Sequence, residues 1–237
     1  MKISLGHHGA RYWGLFIPVL LFSVQMCVAQ NLQLHYDFGK TRGFLTSTVE
    51  MFKTDKHGST YFFVDMDYNS FKGSKGISMA YWELARALKF WKSPWAFHTE
   101  YNGGFGLVGG DAGYQIENAF LNGVEYSRDA EDFSHGFTLQ FLHKYIQGKH
   151  NFSFQITGVW YVNFAGNKLS FTGFADFWRE DLSFENRTTK FCFNAEPQLW
   201  YNVNSHFAVG GEAETDIHFG GLEGFHIYPT LGAKYTF

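Results

Sequence analysis

Four ionisable side chains alternate along one segment near the end of the chain: Glu212, Glu214, Asp216 and His218. Carboxylate and imidazole groups are metal ligands, so this run could in principle hold a cation. At the rise of a β-strand, side chains two residues apart are separated by about 7 Å. One strand alone is therefore too extended to build a compact site, and only partners from other strands could complete one. The stripe predicts a solvated acidic strand face, and we expect no metal or other cofactor.

Serine and histidine are neighbours twice, at Ser134–His135 and Ser205–His206. A serine nucleophile needs a histidine within reach and a third group that orients it. Adjacent residues of a strand face opposite sides, so neither pair forms a catalytic dyad while it lies in regular strand, although loop geometry could relax that rule. We therefore expect a protein that is not an enzyme.

The residues around these groups alternate between apolar and polar with a period of two. In residues 31–38, Leu32 and Leu34 fall on one face and Gln33 and His35 on the other. Such alternation predicts β-strands with one apolar and one polar face. Separated by turn signals, twelve strands are predicted, at about 31–38, 44–53, 59–71, 77–90, 95–105, 114–126, 135–146, 151–163, 169–180, 188–201, 206–219 and 226–237.

The composition excludes several classes of protein. The 237 residues contain 28 Phe, 13 Tyr and 7 Trp, which rules out a disordered chain. Apart from one apolar run near the N-terminus, no segment approaches the length of a transmembrane helix. The net charge of −3 does not suit a nucleic-acid binder.

The first 29 residues have the composition of a secretory signal peptide. Lys2 and Arg11 are basic, residues 13–24 are apolar, and residues 27–29 fit the small-residue cleavage rule. We therefore predict a signal peptide at 1–29 and one domain at 30–237. Its removal leaves Cys192 as the only cysteine, so no intramolecular disulfide is expected.

The polar face of the strands is predicted to be the inside of a membrane barrel. Twelve antiparallel strands enclose an interior too wide for side chains to fill, and charged residues make up only 17% of the chain. The alternating end of the chain, with Gly232, Tyr235 and Phe237, resembles the C-terminal signal that the barrel-assembly machinery reads. We expect an all-β fold, a transmembrane antiparallel up-and-down β-barrel of about 12 strands, monomeric, in contact with membrane lipid, in the outer membrane of a Gram-negative bacterium.

The chain resembles the nucleoside-specific channel-forming (Tsx-type) outer-membrane proteins and their uncharacterised outer-membrane relatives. The matching segments are residues 62–69, 79–86, 169–177, 196–200 and 232–237, and the similarity extends over 32–237. The resemblance implies a monomeric twelve-stranded barrel with a narrow lumen, through which nucleosides pass by stacking on aromatic side chains. This chain is shorter than the family pattern, with tighter loops.

Strand parity projects acids, amides and aromatics into the lumen. An acidic lumen attracts cations and repels anions, and aromatic rings beside polar groups suit a neutral heterocycle or sugar. The residues predicted to line the lumen and contact solute are Tyr61, Asp65, Asp67, Tyr81, Glu83, Glu100, Asn102, Tyr161, Phe174, Trp178, Glu196, Gln198, Trp200, Glu212 and Glu214.

These features predict an outer-membrane channel for passive uptake of small polar solutes, with a nucleoside-like solute as the first choice. One alternative is a narrow or plugged barrel with a structural or binding role, because inward aromatics and acids can also fill space and pair with bases. Another is a membrane-embedded lipid-modifying enzyme. Parity also puts Arg86 on the apolar face, where a β-bulge or snorkelling near the membrane edge would be needed.

Overall fold

The computed structural model describes residues 28–40, 42–71, 73–108, 112–185 and 187–237. Most of the predicted signal peptide, residues 1–27, therefore lies outside the described residues. The first strand begins at Val28, two residues before the predicted start of the domain. Within the described ranges there is no helix of the length and hydrophobicity required to cross a membrane.

Thirteen strand segments follow one another along the chain. They are β1 (Val28–Asp37), β2 (Leu45–Asp55), β3 (Gly58–Tyr68), β4 (Ile77–Lys89), β5 (Trp95–Val108), β6 (Ala112–Asp129), β7 (His135–Ile146), β8 (Ser153–Phe164), β9 (Leu169–Ser183), β10 (Thr188–Ala195), β11 (Gln198–Asn202), β12 (Phe207–Ile217) and β13 (Phe225–Thr236). Each pairs antiparallel with its neighbours in a single sheet.

The sheet closes on itself through the first and last strands. β1 pairs with β13 from Asn31 opposite Thr236 to Asp37 opposite Thr230. β10 and β11 share one position in the wall between β9 and β12, so the barrel has twelve strand positions. The predicted all-β, twelve-stranded antiparallel barrel is confirmed.

The tenth strand is interrupted where a continuous one was predicted. Glu196 and Pro197 lie between β10 and β11, because proline has no backbone N–H to give to the ladder. The register is the same on both sides of the break, with Ala195 opposite Ala175 and Gln198 opposite Thr172. The wall therefore loses a ladder hydrogen bond without any shift of its strands.

The predicted alternation of the two faces is also confirmed. On β1, Leu32 and Leu34 are 40% and 48% exposed, whereas Gln33 and His35 are each 2% exposed. The apolar side chains form the outer surface of the barrel and the polar ones point inward. This is the arrangement that a bilayer requires, with hydrocarbon outside and polar groups enclosed.

The two ends of the barrel differ in their connections. At the terminus end lie the start of β1 at Val28, the C-terminus and the short turns 56–57, 90–94, 130–134, 165–168 and 203–206. At the loop end lie the described residues of the connections 38–44, 69–76, 147–152, 184–187 and 218–224, in which residues 41, 72 and 186 are outside the described ranges.

Arg86 lies on the outer face near the terminus end, and its register opposite Thr60 and Thr99 is regular. Its guanidinium donates to both carboxylate oxygens of Asp55, at 2.8 and 3.0 Å, and to Thr60 Oγ1 at 2.9 Å. Of the two explanations left open by the sequence, the structure therefore agrees with snorkelling toward the membrane edge.

Where β13 pairs with β1, the structure leaves little room for a side chain at Gly232. A Cβ on Gly232 would lie 2.8 Å from Leu34 O and 3.0 Å from His35 Nδ1. Gly232→Ala should therefore force β1 and β13 apart and destabilise the barrel by about 1–3 kcal/mol, measured by urea unfolding of refolded protein. Gly158→Ala is the matched control, because its Cβ would meet only Leu139 Cδ2 at 3.8 Å. Equal stability of the two variants would contradict the tight seam.

Candidate solute-binding lumen

Alternation and cross-strand register place the fifteen predicted lumen residues on the inner face of the wall. They do not form one uniform surface, however. Some are buried and bonded to one another, while others are only half-buried. The two groups have different consequences for solute binding.

Trp200 belongs to the buried group, and its exposed fraction is 0%. Lys234 Nζ lies 4.3 Å from its ring centroid and the His35 ring packs edge-on at 5.4 Å. The indole N–H donates to Gln198 Oε1 at 2.9 Å, and Gln198 in turn donates to Glu212 at 2.8 Å. This ring has no free face for a solute in this structure.

Trp178 is enclosed in a similar way and is 5% exposed. Lys144 Nζ lies 4.6 Å from its ring centroid and Phe219 packs edge-on at 5.5 Å. The indole N–H donates to Glu180 at 2.8 Å. Cys192, directly opposite Trp178 on the next strand, is 1% exposed. These side chains fill the lumen near the loop end.

A ladder of half-buried aromatic rings lies on the inner face of β3 and β4. The rings of Tyr61 and Phe63 are 6.0 Å apart, and those of Phe63 and Tyr81 are 5.9 Å apart. The Tyr81 hydroxyl donates to Glu83 Oε1 at 2.7 Å. Phe174, on the inner face of β9, is also half-buried. We call Tyr61, Phe63 and Tyr81 the aromatic ladder.

The carboxylates of the lumen are oriented by neighbouring hydroxyls. Thr48 donates to Asp65 at 2.5 Å and Thr46 donates to Asp67 at 2.8 Å. These bonds connect side chains across the β2–β3 pair. Each hydroxyl therefore fixes one oxygen of its carboxylate on the inner face of the wall.

Acids from separate strands of the wall face the interior. Glu196 lies at the break between β10 and β11, Glu212 and Glu214 lie on β12, and Asp65 lies on β3. The inner wall therefore carries acidic side chains on more than one of its sides.

Arg42 is a lumen residue that the sequence analysis missed. It lies in the 38–44 connection and reaches inward to bond with Asp37 at 2.9 Å and with both oxygens of Glu214. Its guanidinium carbon lies 3.6 Å from the ring centroid of Tyr228. Period-two parity assigns faces only within strands, so it gave no position for a loop side chain.

Further lumen residues were missing from the predicted set although the same parity could have found them. Asn31 donates to Glu50 at 3.1 Å, and Thr157 donates to Asp176 at 2.5 Å. His35 Nδ1 lies 2.8 Å from Thr230 Oγ1. These groups extend the polar network from β1 to β9.

Two buried acceptor atoms on β5 have no hydrogen-bond partner among the described residues: Glu100 Oε1 and Asn102 Oδ1. The other carboxylate oxygen of Glu100 bonds to His98 Nε2 at 3.0 Å, and His98 Nδ1 bonds to Glu125 at 2.8 Å. Buried unpaired acceptors are costly and call for an ion, a water molecule or a donor group. They add to the preference of the wall for positive charge.

The stripe considered above as a metal site is used in other contacts. Glu214 bonds to Arg42, Asp216 accepts from Asn194 at 2.7 Å, and His218 Nδ1 accepts from Gly224 N at 3.0 Å. Within the ranges that the structure describes, no group of three or more His, Cys, Asp or Glu residues could hold a metal ion.

Ser134 and His135 are closer than strand parity allows. Ser134 Oγ lies 3.1 Å from His135 Nδ1 and 2.7 Å from Asp132 Oδ1. This is the loop geometry that the sequence left open, because Ser134 belongs to the 130–134 turn and not to a strand. The Ser134 hydroxyl and backbone N–H both donate to Asp132 Oδ1, and these hydrogen bonds lower the pKa of the Asp132 carboxyl.

A closed antiparallel barrel with an apolar exterior and a polar interior is the architecture of outer-membrane proteins. This chain is therefore an outer-membrane β-barrel protein of a Gram-negative bacterium. Residues 29–237 match the family described as a domain of unknown function, DUF5020, and the chain belongs to that family. Comparison with curated proteins found no match.

Solved structures with a similar fold are outer-membrane barrels. The Acinetobacter baumannii outer membrane protein Omp33 is 14% identical with a TM-score of 0.43, over 89% of this chain and 97% of that one. A loop-deletion mutant of Vibrio cholerae OmpT is 10% identical with a TM-score of 0.41, over 90% and 99%. A mutant porin of Rh. blastica is 9% identical with a TM-score of 0.38, over 90% and 100%.

The enclosed position of Trp200 predicts that it supports the fold. Trp200→Ala should lower the free energy of unfolding by about 3–5 kcal/mol, because it removes a fully buried ring, measured by urea unfolding in detergent. Trp91→Ala is the matched control, since Trp91 is 92% exposed and should contribute little to stability. A Trp200→Ala barrel as stable as the control would show that the ring is not a packing element.

Proposed function

We propose that this member of the DUF5020 family is a narrow channel that lets small uncharged or cationic polar solutes diffuse across the outer membrane and rejects anions. The observation that carries the proposal is the excess of carboxylates inside the barrel. The inward acids include Asp37, Glu50, Asp65, Asp67, Glu83, Glu100, Glu125, Asp176, Glu196, Glu212, Glu214 and Asp216, against the bases Arg42, Lys144, Lys190 and Lys234. In a confined space this excess attracts cations and repels anions.

A nucleoside is the first choice of solute within this class. The aromatic ladder offers half-buried rings in series, and stacking of a base on such a ring contributes about 1–3 kcal/mol. Glu83 and Asp65 lie beside the ladder and could accept hydrogen bonds from ribose hydroxyls. Trp178 and Trp200 are not part of this stacking proposal, because their faces are covered.

The experiment is a liposome-swelling assay with refolded residues 30–237 and three solutes: adenosine, a disaccharide of similar mass, and adenosine monophosphate. The proposal expects fast entry of adenosine and slow entry of the other two. Equal entry of adenosine and the disaccharide would leave a general small-solute channel. Entry of the monophosphate as fast as adenosine would contradict selection by charge.

The charge selection predicts a change in reversal potential. In a planar bilayer with a salt gradient, Glu196→Gln together with Glu212→Gln should lower the cation preference several-fold, because two inward carboxylates are neutralised. Glu131→Gln in the exposed 130–134 turn is the control and should leave the preference unchanged. An unchanged potential in the double variant would count against an acidic selectivity region.

A closed barrel with a structural or binding role is the second candidate. It is favoured by the bonds of Arg42 to Asp37 and Glu214 at the loop end, and by the enclosed Trp178 and Trp200. No swelling with any solute, from protein shown to be folded, would make this candidate the leading one.

A single substitution at Arg42 distinguishes the channel from the closed barrel. Arg42→Gln should raise the single-channel conductance, because the loop would lose the ion pairs that hold it inside the lumen. Lys40→Gln, an exposed position of the same connection, is the control. A conductance unaffected by Arg42→Gln would mean that this loop does not restrict passage.

The remaining partners belong to the same proposal. The barrel would act as a monomer in contact with lipid, and its last strand would be recognised by the barrel-assembly machinery. Tyr235 and Phe237 are 47% and 68% exposed on the outside, with ring centroids 5.3 Å apart, so their side chains are accessible to such a partner. Gly232 would contribute through the close approach of β1 and β13.

A further inference from the structure

One arc of the terminus end carries a group of basic and aromatic side chains that the lumen does not use. We call this group the basic rim. It comprises Lys53, Lys56, Lys92, Arg128 and Trp91. These residues lie in or beside the turns 56–57 and 90–94 and at the end of β6.

Backbone hydrogen bonds hold the three parts of the basic rim side by side. Lys89 N donates to His57 O at 2.8 Å, which ties the end of β4 to the 56–57 turn. Ser127 N donates to Pro94 O at 3.0 Å, which ties β6 to the 90–94 turn. The positive charges therefore belong to one continuous surface of the barrel.

Basic side chains outnumber acidic ones around the basic rim, although Asp129, Glu131 and Asp132 follow Arg128 in the chain. None of its lysines, nor Arg128, forms an ion pair with a residue that the structure describes, whereas nearby Asp55 is paired with Arg86. Asp129 accepts from the Tyr161 hydroxyl at 2.9 Å. On the opposite arc, the turns 165–168 and 203–206 contain one lysine, Lys168.

Trp91 projects from the tip of the 90–94 turn. It is 92% exposed, and its backbone φ of 54° is uncommon for a bulky residue. The lipid-facing Leu84 and Leu88 precede it on β4, with 52% and 43% exposure. The ring is thus placed at the level where the apolar outer surface meets water, a position that tryptophan favours in membranes.

We infer that the basic rim binds the headgroups of anionic phospholipids in the leaflet at the terminus end. Each basic side chain near a negatively charged membrane surface strengthens the attraction, and an interfacial aromatic adds apolar contact. The unpaired lysines supply the charge complementarity, and the position beside the lipid-facing leucines places them in the headgroup layer. The same rim would hold the barrel at a fixed depth and tilt in the bilayer.

The test uses the folded full barrel in neutral detergent and measures bound lipid by native mass spectrometry. The probes are phosphatidylglycerol and phosphatidylcholine of the same chain length. We expect the wild type to retain phosphatidylglycerol preferentially, and Lys53→Gln with Lys56→Gln and Lys92→Gln to weaken that binding by about tenfold or more. Lys168→Gln on the opposite arc is the matched control and should bind like the wild type.

Equal retention of the two lipids by the wild type would overturn the inference. So would an unchanged preference in the triple variant, or a loss in Lys168→Gln as large as in the triple variant. Folding is checked by the heat-resistant band on gels. Should the triple variant fail to fold, the single variant Lys92→Gln replaces it in the comparison with Lys168→Gln, because Lys92 lies in an exposed turn. Both arms are independent of solute passage, so they do not depend on the proposed channel.

Discussion

The pairing of β1 with β13 is the constraint on which the rest of the molecule depends. Lipid offers no hydrogen bonds, so an open edge in the hydrocarbon layer would leave a row of backbone groups unsatisfied. Closure satisfies that row, and it also fixes which side chains point inward. At Gly232 the absence of a side chain lets β1 and β13 approach closely. At Pro197, where a ladder hydrogen bond is lost, the register of the neighbouring strands does not shift.

Closure then creates a second demand, inside the barrel. A polar interior in a narrow space must find partners for its own groups, and here they come largely from neighbouring strands. Thr48 with Asp65, Gln198 with Glu212 and Arg42 with Glu214 are examples. Every bond of this kind stabilises the wall but removes a group from solute binding. The rings of the aromatic ladder, Tyr61, Phe63 and Tyr81, are covered less completely by such contacts and are half-buried.

The sequence predicted the fold well, because a period of two is a direct record of the two faces of a strand. It placed Leu32 outside and His35 inside, and it gave twelve strands. It could not foresee features set by contacts between distant segments. Arg42 enters the lumen from a connection that has no parity, and the covering of Trp200 by Lys234 depends on how β11 and β13 face one another. The contact between Ser134 and His135 occurs at a turn, where alternation does not apply.

Chemical modification of Cys192 provides a measure of how often the lumen opens. It is the one cysteine that follows residue 29, and it lies on the inner wall opposite Trp178 with 1% exposure. A thiol in such a position reacts with a membrane-impermeant maleimide only when the surrounding side chains separate. Its rate of modification therefore reports how often the interior opens to that depth, in a native chain that carries no engineered label.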